Sequence, residues 1–500
     1  KDIHIELTKI STAITTQNNF YTEIKLPIKG LTYRLNFGNN YNINNHDYAS
    51  QYANSNNGEA YKIHYEYYDY TLDNILSYNN TFGNHSINAT FVYGAKREKY
   101  DYTDADATTF SNITLGYNSL ELGGNQYTSS DAYKETSLYQ IARMNYKYKD
   151  RYLVTGTIRR DGYSGFSKNN KFGVFPSMAL GWIVSEEPFF KNVKWVDNLK
   201  IRTGYGVSGN QTSRYSSLSR VSSDIGYIFG DGTTGSVRQE ISSLGNDNLK
   251  WERTSGLNFG VDFTCFHNRI IATLDSYITT TRDLLYSVSI PTITGYSSIL
   301  SNIGKIRNKG IEFTITSRNI VSKNFEWLTT FNISSNNNKI LALSGSGDLT
   351  TSNLFIGHSL STIYDYKVNG IYQVGDKDIP DGYYPGDYRI VDVNGDGKIT
   401  TADKTILGKT DPAYRFGILN KFHYKSFTLS FFINSVQGGK NGYLGRNSYS
   451  ATYSDNDLRY NRISEEANLF WSPTHTNGIY SLAYTAGAIT PYLYQKRNFI

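Results

Sequence analysis

The sequence predicts an all-β fold, specifically a large antiparallel β-barrel that crosses a membrane with its strands. Three observations support this prediction: a composition rich in tyrosine and poor in proline, a repeated alternation of apolar and polar side chains, and short connections that take turns with long ones. Residues 1–500 would then form most of the wall of one barrel, with long loops gathered on its extracellular side.

The composition favours strands over helices. The 500 residues include 44 tyrosines and 25 phenylalanines but only 9 prolines, and aromatic residues are enriched in strands. The mean hydropathy is −0.48, and no apolar run reaches the roughly 18 to 20 residues that a spanning helix needs. This excludes helical membrane proteins only, because a transmembrane strand alternates lipid-facing and polar residues.

Charge and cysteine content exclude several classes of protein. The formal net charge of +6 is small and comes with no basic stripe, so a nucleic-acid partner is not predicted. The single cysteine, Cys265, leaves no intrachain disulfide and no companion thiol for a zinc site. The residues that follow Lys1 lack the basic and apolar segments of a signal peptide, so none is predicted within the sequence.

The clearest pattern is an apolar side chain at every second position. It recurs in residues 257–265, 311–316 and 427–434, among other segments. The polar faces of the predicted strands carry charged side chains, namely Arg143, Lys147, Arg159, Asp262, Asp275, Glu312 and Glu326. Such a face fits either the wet interior of a barrel or the solvated side of a soluble sandwich, and alternation alone leaves both open.

Connection lengths favour the barrel over the sandwich. Tight connections are predicted at residues 82–85, 149–150, 266–269, 322–324 and 423–426. Between them lie long polar stretches, predicted as loops, at residues 40–62, 98–135, 208–250, 281–308, 335–413 and 438–490. Outer-membrane barrels keep short turns on one side and long loops on the other. Residues 184–197 depart from this rule, and we predict a brief helical turn there.

A series of motifs follows along the chain. It includes Ile158-Arg159-Arg160-Asp161-Gly162, Phe175-Pro176-Ser177, Leu180-Gly181-Trp182, Ser185-Glu186-Glu187-Pro188-Phe189, Leu199-Lys200-Ile201-Arg202, Tyr205-Gly206-Val207-Ser208-Gly209-Asn210-Gln211, Asn248-Leu249-Lys250-Trp251-Glu252, Asn308-Lys309-Gly310-Ile311-Glu312 and Pro385-Gly386-Asp387. In this order the motifs resemble the SusC/RagA family of TonB-dependent outer-membrane transporters of Bacteroidetes-type bacteria.

The resemblance implies a fold, a function and partners. The family fold is a barrel of about 22 strands with an amino-terminal plug, and the sequence resembles that barrel without its plug and cut at both ends. The implied function is active import across the cell outer membrane of an oligosaccharide or, less often, a peptide. A SusD-like surface lipoprotein would act as the lid, and the TonB complex would act through a segment upstream of this sequence.

The best local motif lies within the predicted loop at residues 335–413. Residues 392–403 follow the pattern of a calcium-binding loop, with ligands at positions 1, 3, 5, 7, 9 and 12 and glycine at position 6. The predicted metal ligands are Asp392, Asn394, Asp396, Lys398 through its carbonyl, Thr400 and Asp403. An aspartate at position 12 is closer to a dockerin loop than to an EF-hand. We expect a structural Ca²⁺ that staples the loop, and the alternative is an aspartate-rich turn without an ion.

No arrangement of residues predicts catalysis or an organic cofactor. Residues 204–209 match the dinucleotide fingerprint G-x-G-x-x-G, yet no amphipathic helix follows to bind a phosphate. The carboxylate pairs Glu186-Glu187 and Glu465-Glu466 lie in a connection and in a loop, where solvated charge is the usual interpretation. We therefore predict a protein that is not an enzyme.

The predicted loops are rich in tyrosine, at Tyr364, Tyr366, Tyr372, Tyr383, Tyr384, Tyr443, Tyr449 and Tyr453. Beside amide groups these rings suit sugars or extended peptides, and packing of the loops on themselves explains them equally well. Substrate residues therefore stay unassigned. Two other functions remain open: a non-transporting β-rich surface protein that binds glycans or acts as an adhesin, and a secreted carbohydrate enzyme. Solubility without detergent would separate both from a transporter.

Overall fold

Strands dominate the computed structural model, which describes residues 7–53, 57–229, 234–343, 347–440, 471–478, 481 and 496–499. The strands are β1 Leu7–Lys25, β2 Leu31–Ser50, β3 Glu59–Phe82, β4 His85–Phe110, β5 Gly123–Tyr148, β6 Tyr152–Tyr163, β7 Phe172–Ile183, β8 Val196–Asn210, β9 Arg220–Phe229, β10 Thr234–Ser243, β11 Glu252–Cys265, β12 Ile270–Arg282, β13 Leu285–Ser289, β14 Ser298–Asn302, β15 Lys305–Val321, β16 Phe325–Ala342, β17 Thr362–Tyr366, β18 Val368–Ile371, β19 Tyr388–Ile390, β20 Lys404–Lys409, β21 Tyr414–Tyr424, β22 Phe427–Lys440 and β23 Lys496–Phe499. Short 3-10 helices lie at Gly116–Asn118, Leu120–Leu122, Val184–Glu186, Pro188–Phe190, Thr292–Thr294, Thr350–Ser352 and Thr401–Asp403. Within these described residues, no helix has the length and apolar character needed to span a membrane.

The chain divides into two compact units. Unit 1 comprises Lys1–Trp182, Gly204–Ser255 and Asp283–Asn302, and unit 2 comprises Ile183–Thr203, Gly256–Arg282 and Ile303–Ile500.

In unit 1, strands β1 to β7 pair in chain order, each antiparallel to the next. The β3–β4 register runs without a shift from Glu59↔Thr108 to Phe82↔His85, so side chains keep their faces along the whole ladder. Strands β4 and β5 have 26 residues each. About 9 to 11 residues are enough to cross a bilayer, so these strands are long enough to continue well beyond one. Two hairpins, β9–β10 and β13–β14, also lie in this unit.

In unit 2, strands β12, β15, β16, β21, β22 and β23 pair antiparallel in this order. The β15–β16 ladder has an irregularity between Arg318 and Ile320. Between β16 and β21 the chain forms two small sheets, β17–β20 and β18–β19. The buried side chains of Tyr366 on β17 and of Tyr388 and Ile390 on β19 pack together in one cluster.

The strands of unit 1 have one apolar face and one polar face. On β4, β5 and β6, Phe91 is 48% exposed, Met144 49% and Ile158 52%. The residue that follows Ile158, Arg159, lies on the other face because successive side chains of a strand alternate. An apolar face this exposed is rare on water-soluble proteins and suits contact with lipid.

All five predicted tight connections are confirmed as turns between consecutive strands. Gly83 joins β3 to β4 with φ 56°, and Lys149 and Asp150 join β5 to β6 with φ 51° and 54°. Positive φ angles are what tight hairpins require, because they match the right-handed twist of the flanking strands. The brief helical turn predicted in residues 184–197 is also present, as Val184–Glu186 and Pro188–Phe190.

Several predicted long loops are wrong because the strands extend into them. Residues 40–50 belong to β2, residues 59–62 to β3, and most of residues 98–135 to β4 and β5. These segments alternate tyrosine with asparagine and aspartate, so the apolar periodicity on which the prediction relied is missing there. Ladder hydrogen bonds to the neighbouring strand continue regardless of that periodicity.

The remaining segments predicted as loops also contain strands, so the actual loops are shorter than predicted. Residues 208–250 contain the β9–β10 hairpin, and residues 281–308 contain β13, β14 and the start of β15. Strand β16 continues to Ala342, so the excursion predicted at residues 335–413 begins later than expected. Of the predicted loop at residues 438–490, residues 441–470, 479–480 and 482–490 lie outside the described residues.

Aromatic residues from several motifs meet in one buried cluster of unit 1. Trp251 packs against Phe166 and Phe175, with ring centroids 5.1 and 5.5 Å away. Tyr163 and Leu249 complete the cluster. The motif that contains Phe175 and the motif that contains Trp251 therefore pack against each other in this cluster.

Candidate functional site

An ion pair on β6 lies on the polar face of unit 1. Arg159 and Asp161 are two residues apart and therefore share that face. Arg159 Nε lies 2.7 Å from Asp161 Oδ2, and Nη2 lies 2.8 Å from Oδ1, which is a bidentate geometry. The two charges cancel at this point of the face.

Tyr139 on β5 is held beside this ion pair. Its hydroxyl donates a hydrogen bond to Asp73 on β3, and the Arg159 guanidinium lies 5.3 Å from its ring centroid. The ring covers Gly94 of β4, where a β-carbon would come within 2.2 Å of ring atoms. Glycine at this position allows the ring to lie against the sheet and reach Asp73. The isolated glycine in a strand pattern was a sequence signal for such a close approach, although it does not name the partner.

A cavity of about 640 Å³ opens beside the ion pair. Besides Arg159 and Asp161, its lining includes hydroxyl, amide and indole groups from Thr157, Ser177, Ser208, Asn210, Gln211 and Trp251. Because the two charges are paired with each other, the hydroxyl and amide groups are left to donate and accept hydrogen bonds, whereas the Trp251 indole N–H already donates to Lys171 O. A lining of this kind suits a polar ligand the size of a few sugar rings or amino acids.

In unit 2, Arg202 holds two carboxylates together. Its Nη1 lies 2.7 Å from Asp275 Oδ1, its Nη2 lies 2.6 Å from Asp275 Oδ2, and its Nε lies 3.2 Å from Asp262 Oδ2. The guanidinium lies over Gly260, where a β-carbon would come within 2.4 Å of Arg202 Cζ. Alternation along the strands indicated that both aspartates lie on polar faces, but it did not show that Arg202 joins them.

In the predicted calcium-binding loop, backbone N–H groups contact the carboxylates. The two oxygens of Asp403 accept hydrogen bonds from the N–H of Thr400 at 2.7 Å and of Val393 at 2.9 Å. Asp392 accepts from the N–H of Gly397 at 2.8 Å. These backbone bonds, that of Thr400 foremost, lower the pKa of Asp403, whose side chain is buried.

The six predicted calcium ligands lie in one continuous turn, but their carboxylates are not gathered around a common point. Gly397 has a φ of 78°, as position 6 of such a loop requires. Across the part of the chain that the structure describes, no group of three or more His, Cys, Asp or Glu side chains could hold a metal ion. An ion would have to draw Asp392, Asp396 and Asp403 toward a common point, and their carboxylates can keep N–H bonds while they do so. Calcium binding therefore stays a prediction.

Four of the loop tyrosines pack on other parts of their own loop. Tyr366 is 7% exposed and Tyr372 4%, and the Tyr383 ring lies 6.2 Å from that of Tyr372. Tyr364 packs on Phe355 at 4.8 Å. A fifth, Tyr384, is 64% exposed. Self-packing thus explains the first four, whereas Tyr443, Tyr449 and Tyr453 lie outside the described residues.

Two further sequence features have defined positions. Residues 204–209 lie within strand β8, so their glycines belong to a strand and not to a phosphate-binding turn. Glu186 lies in the first 3-10 helix of residues 184–197, and Glu187 follows it as a buried residue. Glu465 and Glu466 lie outside the described residues.

Comparison with known proteins identifies relatives along most of the chain. The family model described as "TonB dependent receptor-like, beta-barrel" matches residues 11–434. TonB-dependent receptor P3 of Formosa agariphila is 33% identical over 492 residues, covering 93% of this chain and 48% of the relative. TonB-dependent receptor SusC of Bacteroides thetaiotaomicron is 35% identical over 365 residues, covering 70% of this chain and 34% of the relative.

Solved structures agree in fold. A structure described as the RagAB peptide transporter superposes with a TM-score of 0.79 at 21% identity, covering 95% of this chain and 53% of that chain. A RagAB peptide importer in a closed-closed state superposes with a TM-score of 0.74 at 19% identity, covering 91% of this chain and 52% of that chain. The chain spans about half, or less, of the length of the proteins that it matches.

Proposed function

Because this chain belongs to the family of TonB-dependent receptor-like β-barrels, we propose that the protein imports a nutrient actively across the outer membrane. The host would be a Gram-negative, Bacteroidetes-like bacterium. The cargo is an oligosaccharide, with a peptide as the second choice. We propose no catalytic role.

The observation that carries this proposal is the two-faced wall of unit 1. Phe91, Met144 and Ile158 form an exposed apolar face, and the opposite face holds the hydrogen-bonded groups around Arg159 and Asp161. A barrel that conducts a hydrophilic cargo through lipid needs both surfaces on the same strands. An adhesin that is surrounded by water would not need the exposed apolar face.

The partners follow from the same family. We propose that a SusD-like surface lipoprotein forms a lid over the cargo, and that the TonB complex supplies energy through a part of the protein upstream of this chain. One relative is named SusC, and one structure of the same fold is described as a peptide transporter. These two names support the proposal that the protein works with a lipoprotein and with TonB. They do not distinguish an oligosaccharide cargo from a peptide, which the experiment below does.

In the proposed mechanism the polar face contacts the cargo in transit. Hydroxyl and amide groups such as Thr157, Ser177 and Gln211 exchange hydrogen bonds with it. The bidentate pair of Arg159 and Asp161 neutralises both charges beside the cavity, so that an uncharged cargo does not meet an unpaired carboxylate or guanidinium there.

Calcium has a separate, structural role in this proposal. An ion bound by residues 392–403 would staple the exposed loop that contains them, using Asp392, Asp396 and Asp403 as its charged ligands. The tight turn at Gly397 supports this assignment.

Growth of the host tests the import proposal. A strain that lacks the gene, and the same strain complemented with the full-length protein, are grown on purified oligosaccharides and oligopeptides as single carbon sources. We expect at least one compound to support growth only in the complemented strain, and a protonophore to abolish its uptake while surface binding persists. Binding without uptake of any compound would favour the surface glycan-binding protein instead.

A matched pair of variants links the phenotype to the polar face. Arg159→Ala removes the ion pair beside the cavity, whereas Arg160→Ala changes the neighbouring arginine on the opposite face, which lies over Phe172 at 3.9 Å. We expect uptake to fall several-fold in the first variant and to stay near wild type in the second. Equal losses would show that the polar face has no special role in transport.

A further inference from the structure

A row of aromatic rings crosses the polar face of unit 1. It begins at His46 on β2 and continues through Tyr65 on β3 and Tyr100 on β4 to Tyr133 on β5. Neighbouring ring centroids lie 5.7, 6.3 and 5.0 Å apart. The guanidinium of Arg214 ends the row, 3.3 Å from the centroid of the Tyr133 ring.

The β-ladders define the face on which this row lies. Residues directly opposite each other in antiparallel strands share a face, and Tyr100 is opposite both Tyr67 and Tyr133. We call this surface the tyrosine face. It consists of the even-numbered residues of 40–48 and 96–106 and the odd-numbered residues of 61–73 and 127–139.

The connection between β4 and β5 packs on the opposite side. A β-carbon on Gly116 in this connection would meet that of Ala49 at 2.9 Å, and one on Gly123, where the connection enters β5, would meet that of Ala107 at 2.8 Å. Ala49 and Ala107 belong to the face opposite the tyrosines, because each is an odd number of residues from members of the row on the same strand. This connection therefore does not cover the tyrosine face.

Three Tyr–x–acid motifs occur on this face, on three adjacent strands. They are Tyr67 with Asp69 on β3, Tyr102 with Asp104 on β4, and Tyr133 with Glu135 on β5. In each motif the ring and the carboxylate are two residues apart and point the same way. The Tyr102 hydroxyl, for example, lies 3.2 Å from Asp104 Oδ2.

At the third motif the chain itself supplies a cation. Arg214 Nε lies 2.8 Å from Glu135 Oε1 while its guanidinium stacks on the Tyr133 ring. A ring face and a carboxylate are the two groups that attract a guanidinium or ammonium group most strongly. In the third motif, Arg214 therefore occupies a cation-binding position between a ring and a carboxylate. The other two motifs have the same pair of groups.

The charges on the tyrosine face are unbalanced. Its carboxylates are Asp69, Asp73, Glu98, Asp104, Asp106, Asp131 and Glu135, whereas Lys96 is the single lysine or arginine among the residues that make up this face. Lys96 pairs with Glu98, and Arg214 pairs with Glu135. Among the described residues the other five carboxylates have no ion pair. A surface of this kind raises the local concentration of cations and repels anions.

We propose that the tyrosine face binds cargo that carries positively charged nitrogen, as protonated amines or guanidinium groups, and disfavours anionic cargo. The inference rests on the proposed import function and narrows its cargo. Each of the two Tyr–x–acid motifs that have no cation of their own, Tyr67 with Asp69 and Tyr102 with Asp104, takes one cationic group as the third takes Arg214. Amino-sugar oligosaccharides and basic peptides both supply this chemistry.

Binding to the purified full-length protein tests the proposal. The probes are the hexamer of glucosamine, the hexamer of N-acetylglucosamine with the same backbone but no charge, hexalysine, and the hexamer of galacturonic acid. We expect a cationic probe to bind about tenfold tighter than the acetylated hexamer at low salt and to lose that advantage as salt rises. Preference for the glucosamine hexamer identifies amino sugars, and preference for hexalysine identifies basic peptides. The proposal is overturned if neither cationic probe is preferred.

A variant and its matched control locate the effect. Asp104→Asn together with Asp131→Asn removes two charges from the tyrosine face, whereas Asp101→Asn together with Glu66→Gln removes two from the opposite face of the same sheet. We expect binding of the preferred cationic probe to weaken about three- to tenfold in the first double variant and by less than twofold in the second. Equal weakening would mean that net charge alone acts, which contradicts a site.

Growth experiments separate this inference from the proposed function. If the complemented strain imports a nutrient but the protein shows no preference for cations, only the present inference fails. If no nutrient is imported under any condition, the proposed function fails first. Retained binding of the acetylated hexamer by the variants would show that they are folded.

Discussion

Gly94 lies beneath the ring of Tyr139, and the space above it decides where that ring can go. A β-carbon there would come within 2.2 Å of ring atoms, so Gly94→Ala should displace Tyr139 and break its hydrogen bond to Asp73. We expect a loss of about 1 to 3 kcal/mol in the free energy of unfolding, as overpacking typically causes. Urea titration of the full-length protein in lipid vesicles measures it.

Gly156 provides the control for that substitution. It lies on β6 on the opposite face, and a β-carbon there meets nothing within 4 Å. Gly156→Ala should therefore leave the free energy of unfolding unchanged or slightly higher, because alanine restricts the unfolded chain more than glycine does. A similar loss in both variants would contradict the packing argument for Gly94.

We predict that the order of residues 392–403 depends on pH through the carboxylate of Asp403. Backbone N–H groups, that of Thr400 first, lower its pKa in the folded protein. The stabilisation is therefore present above the unfolded pKa of about 3.9 and is lost as pH falls through the lowered folded value. A spin label at Val393, which is 48% exposed, should become mobile only in strong acid. In Asp403→Asn the label should be mobile at neutral pH as well.

The predicted calcium binding should depend on the charged residues of the same loop. Calorimetric titration of the full-length protein with Ca²⁺ should give binding that is lost in Asp396→Ala and kept in Asp381→Ala, an exposed aspartate outside residues 392–403. The strands should stay folded in both, since their ladder hydrogen bonds do not involve the loop. Absence of calcium binding in the wild type would favour the turn without an ion.

At the scale of the elements, each strand should present one face to lipid. On β11, Phe259 is 48% exposed, while Asp262 contacts Arg202 on the other face. On β22, Phe431 is 46% exposed and Ser430 alternates with it. Spin labels at Phe259 and Phe431 should be relaxed by a lipid-soluble agent, and labels at Asp262 and Ser430 by a water-soluble one. Equal access of both agents to both sets would show that the assignment of faces is wrong.

Strand length is where the elements departed most from the sequence-based expectation. An apolar alternation marks only the part of a strand that faces lipid, and β2 to β5 continue with polar and tyrosine-rich residues. A prediction based on apolar periodicity therefore places the ends of such strands too early in the sequence or omits their polar parts. The tight turns were correctly predicted because short connections carry their own conformational signals, such as Gly83.

At the scale of the whole molecule, the family match confirms the all-β transmembrane barrel and the resemblance to SusC and RagA that the motifs indicated. We further predict that residues 335–413 and 438–490 contribute to a stable contact with a surface lipoprotein. Permanent complexes bury more than about 2,000 Å². Purification of the full-length protein from native membranes in mild detergent should bring the lipoprotein with it.

Shortening these two segments should release the lipoprotein from the complex. A version shortened by the same length in the β9–β10 hairpin serves as the control and should retain it. Recovery of a lone barrel that still imports its nutrient would remove the partner from the proposal and favour a self-sufficient transporter.

The sequence by itself determined the fold class, the turns and the family, because these depend on local patterns: alternation within a strand, turn residues between strands, and contiguous motifs. Only the tertiary structure decided which polar residues meet. Arg202 with Asp275, Tyr139 with Asp73, and the row from His46 to Tyr133 all join residues far apart in the chain. Such contacts depend on the register between strands, and a shift by one residue would turn every side chain to the other face. No single strand contains that information.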